Sequence, residues 1–209
     1  METTYIEIDS PDKHLSDVLE EIPSNVILYK TLTGIGATYS EIKAQRHSII
    51  IEPNVPVIIG KCNSDKHKND NLLGVYEGVT TDRIIKYLGA SRGKYYKILT
   101  TPESFTKVKD AFLIFNGKIY NTCFLLIDEA HKTIKDVDYR SDIVLPMNDF
   151  FKFKGKALVS ATPLKFSDPR FEENGFSIIK IEPTYDYAKE IDIKPSTNIL
   201  REVWEEFGW

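Results

Sequence analysis

Thr122-Cys123-Phe124-Leu125-Leu126-Ile127-Asp128-Glu129-Ala130-His131 is the stretch from which the fold is read. The apolar run Cys123–Ile127 has no alternation and ends in two adjacent acids. That pattern predicts a strand buried on both faces, as in a parallel sheet covered by helices. Asp128 and Glu129 then emerge at the carboxyl end of the strand, where open α/β sheets bind their ligands. One carboxylate at such a place can hold a divalent cation, and its neighbour can polarise a water. Taken alone, the same letters also fit a buried strand ending in a solvated acidic turn.

Outward from this stretch, other short apolar runs also end in polar turns. Val26–Tyr29 leads into Lys30-Thr31-Leu32-Thr33-Gly34-Ile35-Gly36-Ala37-Thr38, followed by a predicted helix over Tyr39–Gln45. Glycines in such a loop let backbone N–H groups approach an anion, and the helix that follows favours negative charge at its start. Against the phosphate-loop pattern G-x-x-x-x-G-K-[ST], Gly36 and Thr38 fit, Thr31 replaces the first glycine and Ala37 replaces the lysine. Ser48–Glu52 is a predicted strand closed by Pro53-Asn54-Val55-Pro56, and Lys61–Asn71 a polar loop. Leu72–Tyr76, Tyr96–Thr100, Lys156–Val159 and Phe176–Ile181 are further predicted strands. Predicted helices cover Pro11–Ile22, Thr81–Leu88 and Phe105–Phe115, with a mixed helix and loop over Tyr139–Phe150. Strands separated by helices imply an α/β fold with a mostly parallel sheet.

Five pieces therefore follow predicted strands in a fixed order: Thr33–Thr38, Ile51-Glu52-Pro53, Thr101-Pro102-Glu103, Asp128-Glu129-Ala130-His131 and Ser160-Ala161-Thr162. Together they resemble motifs I, Ia, Ib, II and III of the first RecA-like domain of superfamily 2 helicases, the DEAD/DEAH-box group. The resemblance spans Val26–Ile181 and implies a RecA-like P-loop three-layer sandwich. It implies ATP and Mg²⁺ as cofactors and single-stranded DNA or RNA as partner. Gly34, Gly36, Ala37, Thr38 and Thr33 would lie along the nucleotide phosphates. Thr38 and Asp128 would hold the metal, and Glu129 would orient or deprotonate the attacking water. His131 would link that site to Ser160 and Thr162, which would couple nucleotide state to nucleic acid. Pro53, Thr101, Pro102 and Glu103 would border the strand-binding groove.

Two departures qualify this. Ala37 lacks the charge that motif I places on the β- and γ-phosphates, so a weakened nucleotide site is expected, one that Ala37→Lys would strengthen. Lys30 is within reach of the loop from the preceding strand and is counted with the cofactor-binding residues, although an ordinary strand-end lysine is the plainer reading. Residues 1–182 are expected to form one domain, and 183–209 a linker or tail. The family's arginine finger and second RecA-like domain would lie beyond Trp209, and its glutamine motif is not visible, since Gln45 falls after motif I.

Composition agrees. The chain of 209 residues is 42% hydrophobic and 28% charged, as in ordinary globular domains. Lys61–Lys118 carries 11 basic against 6 acidic residues in a chain of net charge −4, and motifs Ia and Ib flank or fall within that segment. A polyanion-binding face is one reading of this asymmetry, and a solvated surface the other. Cys62 and Cys123 make a disulfide framework improbable, which fits a reducing cytoplasm, and Cys62 with His67 lacks the partners of a metal site. No G-x-S-x-G elbow supports a serine hydrolase. The leading expectation is a nucleic-acid-dependent ATPase domain; the alternative is a non-enzymatic nucleic-acid-binding or scaffolding module on the same fold.

Overall fold

The computed structural model describes residues 1–32, 34–135, 145–163 and 168–186. Within them the strands form one sheet of eight, all parallel: β1 (Thr3–Ile8), β2 (Val26–Lys30), β3 (Ser48–Ile51), β4 (Leu72–Val75), β5 (Lys97–Thr100), β6 (Phe124–Ile127), β7 (Gly155–Ser160) and β8 (Ser177–Pro183). Their order is β1-β8-β2-β7-β6-β3-β5-β4. The chain thus has the α/β architecture expected, and β7 lies between β2, which leads into the glycine loop, and β6, which leads into Asp128 and Glu129.

The central strands do not alternate between apolar and polar because both faces are covered. β3, β5 and β6 are buried at every position. Alternation sorts their side chains into two cores: Ile27, Leu125, Ile127 and Leu158 join one cluster, and Val26, Leu28, Leu126 and Val159 the other. Helix α4 (Thr81–Ala90) is capped by Thr80, whose hydroxyl accepts from the Arg83 N–H, and packs through Ile84 and Leu88. Helix α5 (Phe105–Phe115) buries Phe105, Val108, Ala111 and Phe112, the three-and-four spacing of one helical face.

Several local expectations change. The helix expected over Pro11–Ile22 is a single turn, α1 (Leu15–Val18). Glu20 and Glu21 follow it, at the end where the helix dipole disfavours negative charge. Helix α2 spans Ala37–Lys43, so it starts two residues earlier than expected. The expected break at Pro53–Pro56 and the start of the expected loop Lys61–Asn71 both run into helix α3 (Val55–Asn63). Pro56 sits in its first turn, where a missing N–H costs nothing, so the proline that suggested a loop fits the helix start. The sequence also gave no sign of the edge strand β1, nor of the short helices α6 (Ile119–Thr122), α7 (Ala130–Lys135) and α9 (Arg170–Glu173). α8 (Leu145–Phe150) is the described part of the expected Tyr139–Phe150 element; its earlier residues lie outside the described residues, as do Thr33 and the tail from 187 onward. Among the described residues no helix is long and apolar enough to cross a membrane.

Gly74 on β4 shows how tightly α3 packs. A Cβ there would meet Ile58 Cγ2 at 2.9 Å and Cys62 Sγ at 3.2 Å. Gly74→Ala is expected to destabilise the chain by about 1–3 kcal/mol, as overpacking does. Urea unfolding checks it; an unchanged midpoint would mean that α3 moves aside freely.

Candidate functional site

In an all-parallel sheet every strand ends on the same side, so the ends of β2, β3, β5, β6 and β7 lie along one edge. β2 and β6 are separated only by β7, roughly 9–10 Å from strand to strand. Leu28 and Lys30 share a face of β2; Leu126 and Asp128 continue the same face across β6. A long side chain can span that gap, and Lys30 does. Its Nζ lies 3.0 Å from Asp128 Oδ1 and 2.6 Å from Glu129 Oε1, and the residue is 7% exposed. The plainer expectation of an ordinary strand-end lysine is therefore corrected: Lys30 is the buried counter-charge of both acids.

Asp128 is fixed from several sides. Its N–H donates to Ile51 O at 2.9 Å, the Thr38 hydroxyl donates to its Oδ2, and its Oδ1 accepts from the Glu129 N–H at 2.8 Å. Burial works to raise the Asp128 carboxyl, but Lys30 beside it and the Thr38 hydroxyl more than offset this and hold it below the usual value. Burial works to lower Lys30, and the two carboxylates outweigh it, so its ammonium is held above the ordinary lysine value. Glu129 itself is left-handed, φ 49°, a conformation uncommon for a residue with a side chain. Such backbone strain concentrates at functional positions.

The loop before α2 turns on two glycines with positive φ, Gly34 at 82° and Gly36 at 87°. A side chain at either would be strained whatever the space around it. Gly34, Gly36, Ala37 and Thr38 line one cavity of about 440 Å³ together with Lys30, Asp128 and Glu129. Ala37 is also packed, at 3% exposure, in the apolar cluster that holds Ile35 and Ile42.

Among the described residues, six more line this cavity that sequence reasoning did not assign to it: Tyr39, Glu52, Asn54, Val57, Lys61 and Lys132. Lys61 returns from α3 to stand 3.9 Å from Glu52. Burial pushes the Glu52 carboxyl up, with the Asp128 charge adding to it, and burial pulls the Lys61 ammonium down. The helical identity of Val55–Asn63 was the signal needed, since it places Lys61 two turns after the β3 end.

His131, on α7, connects outward. Its Nδ1 is 3.1 Å from Ser160 Oγ, and its Nε2 is 3.5 Å from Glu129 Oε2. The Ser160 hydroxyl donates to Thr162 O at 2.7 Å and accepts from the Thr162 N–H at 3.2 Å. With that proton committed, Nδ1 is assigned as the donor to Ser160. The residues marked for nucleic acid stand apart from this cluster, at the ends of β3 and β5. Thr101 and Pro102 are buried, Thr101 Oγ1 accepting from the Ser104 N–H at 3.3 Å; Pro53 is half-buried and only Glu103 is exposed.

The donor set of Thr38, Asp128 and Glu129 is all oxygen, which suits Mg²⁺, and an ammonium already occupies the carboxylates as a cation would. The residues present therefore fit the metal.

The chain has the RecA-like fold seen in helicase domains. It superposes on a hypothetical ATP-dependent RNA helicase from Sulfolobus tokodaii with a TM-score of 0.51 at 16% identity, over 75% of this chain and 48% of that one. It superposes on the Hef helicase domain of Pyrococcus furiosus with a TM-score of 0.51 at 14% identity, over 82% of this chain and 39% of that one. The chain thus spans less than half the length of either. No family model and no curated protein matches the sequence.

Proposed function

We propose that the chain is the ATP-binding domain of a helicase-type, nucleic-acid-dependent ATPase. The observation that carries this is the convergence of Lys30, Thr38, Asp128 and Glu129 in one cavity bordered by the glycine loop. Mg²⁺, held by Thr38 and Asp128, would neutralise charge on the phosphates. The chain's own residues do the rest. Gly34 and Gly36 keep the loop open to the phosphates. Asp128, held as a carboxylate, keeps the ammonium of Lys30 and the hydroxyl of Thr38 in place. Glu129 stands beside them to orient the attacking water and take its proton. ATP binding to the full chain, followed by fluorescence of a labelled analogue, tests the reading; no binding with or without Mg²⁺ rejects it.

The hydrogen bonds from His131 through Ser160 to Thr162 support a coupling role for these residues toward nucleic acid. Ser160→Ala is expected to keep ATP affinity within about threefold, since the serine lies outside the cavity, while reducing the stimulation of turnover by single-stranded DNA or RNA in the assembled protein. Equal stimulation in variant and parent would remove Ser160 from the pathway. The second reading, a nucleic-acid-binding or scaffolding module without catalysis, is favoured by Ala37, which leaves its position uncharged. A cytoplasmic location and a second RecA-like domain as partner belong to the first reading.

A further inference from the structure

We propose that Lys30 is the phosphate-contacting lysine of this site, supplying from the end of β2 the charge that position 37 lacks. This rests on the nucleotide reading of the cavity and names the residue on which its preference for polyphosphates depends.

Among the described residues three lysines line the cavity, and they differ in kind. Lys132 is exposed. Lys61 is turned toward Glu52. Lys30 is buried at the end of the strand from which the glycine loop departs, and its ammonium lies where β2, β6 and the loop converge. An ammonium has three donors, and Asp128 and Glu129 account for two.

Ala37 is the complement of this arrangement. Its methyl belongs to the apolar cluster under the loop, so a lysine there would leave that packing and bring a second ammonium into a cavity that already holds one. On this view Ala37 does not mark a disarmed site. The cation has moved seven residues toward the amino terminus, where the strand spacing requires a long side chain. Ala37→Lys alone is then expected to give no gain in affinity, contrary to the expectation from sequence.

The test is calorimetric titration of the full chain with ATP, ADP, AMP and adenosine, in Mg²⁺ and again in chelator, for the parent, Lys30→Gln, Lys30→Arg and Lys61→Gln. Lys30→Gln keeps a donor for the carboxylates but removes the charge. It is expected to weaken ATP binding about 10- to 100-fold, the range of one charged hydrogen bond, with AMP and adenosine within about twofold. Lys30→Arg should retain most of the ATP preference, and Lys61→Gln should change it less than Lys30→Gln does. A general structural role for Lys30 would instead weaken all four ligands alike. In the parent protein the ¹⁵Nζ resonance of Lys30, assigned by its loss in Lys30→Arg, should shift with ATP in chelator and stay in place with adenosine. This measurement decides the matter if Lys30→Gln does not fold. An unshifted resonance, or full ATP preference in Lys30→Gln, overturns the role of Lys30 and leaves the nucleotide site standing. Failure of the parent to bind any of the four ligands overturns both.

Discussion

On its own, the chain of 209 residues should turn over ATP at a rate barely above background, with or without single-stranded DNA. Phosphoryl transfer depends on charge placed around the γ-phosphate rather than on covalent chemistry. The cavity supplies Lys30, and with it one of the cations needed. The charge that develops in the transition state needs more. In related sites an arginine finger, supplied in cis or by a partner, contributes about a thousandfold or more. A second RecA-like domain, supplied by another part of the protein or by a partner, is expected to raise the rate by that order. In that assembled form Glu129→Gln should lower turnover by about 10²- to 10⁴-fold, as loss of a general base does, with binding nearly unchanged. Phosphate release from the isolated chain is the measurement. Robust turnover there, abolished by Glu129→Gln, would mean that these residues suffice without a second domain.

The second large effect is on stability. Lys30→Ala leaves Asp128 and Glu129 without their shared cation, and Asp128 is 3% exposed. Breaking a buried pair by removing one partner costs about 3–5 kcal/mol. Lys30→Ala combined with Asp128→Asn should cost less than Lys30→Ala alone, because no unpaired buried carboxylate remains at position 128. The pH dependence has a definite sign. The Asp128 carboxyl is held below its ordinary value of 3.8, so its contribution is present above that pH and is lost as pH falls through the lowered value. The Lys30 ammonium is held above 10.5, so its contribution is present below that pH and is lost as pH rises through the raised value. Urea unfolding of parent and Lys30→Ala should therefore differ by a constant amount across the neutral range, and the gap should narrow in strong acid. A gap under about 1 kcal/mol at pH 7, or one that widens toward pH 3, would mean the pair contributes little.

Much of this was legible in the letters. The unalternating run Cys123–Ile127, the acids after it and the small polar exits of the other strands carried the parallel sheet, while the place of β7 between β2 and β6 is seen in the strand order itself. The role of Lys30 was also within reach. Once β7 separates β2 from β6, alternation puts Lys30 on the face of Leu28 and Asp128 on the face of Leu126, and both leucines belong to one core. The motif pattern drew attention to position 37 instead. Other features had no local signal. The left-handed backbone of Glu129 depends on how α7 leaves β6, and the return of Lys61 depends on a helix that two prolines disguised. Thr101 and Pro102 were expected to border a groove, but both are buried where β5 passes into α5.

The strand order also has a consequence for synthesis. β7 separates Lys30 on β2 from Asp128 on β6 and is made after both, and β8 separates β1 from β2 and is made last of the eight. On the ribosome the amino-terminal strand and the loop-bearing strand must wait for neighbours that emerge more than a hundred residues later. Such distant pairings are slow to close and leave strand edges open meanwhile. A nascent chain halted before residue 155 would hold Lys30 and Asp128 with nothing to set the distance between them. Arrest of translation on either side of β7, read by protease resistance of the nascent chain, should place the birth of the cavity at the emergence of that one strand.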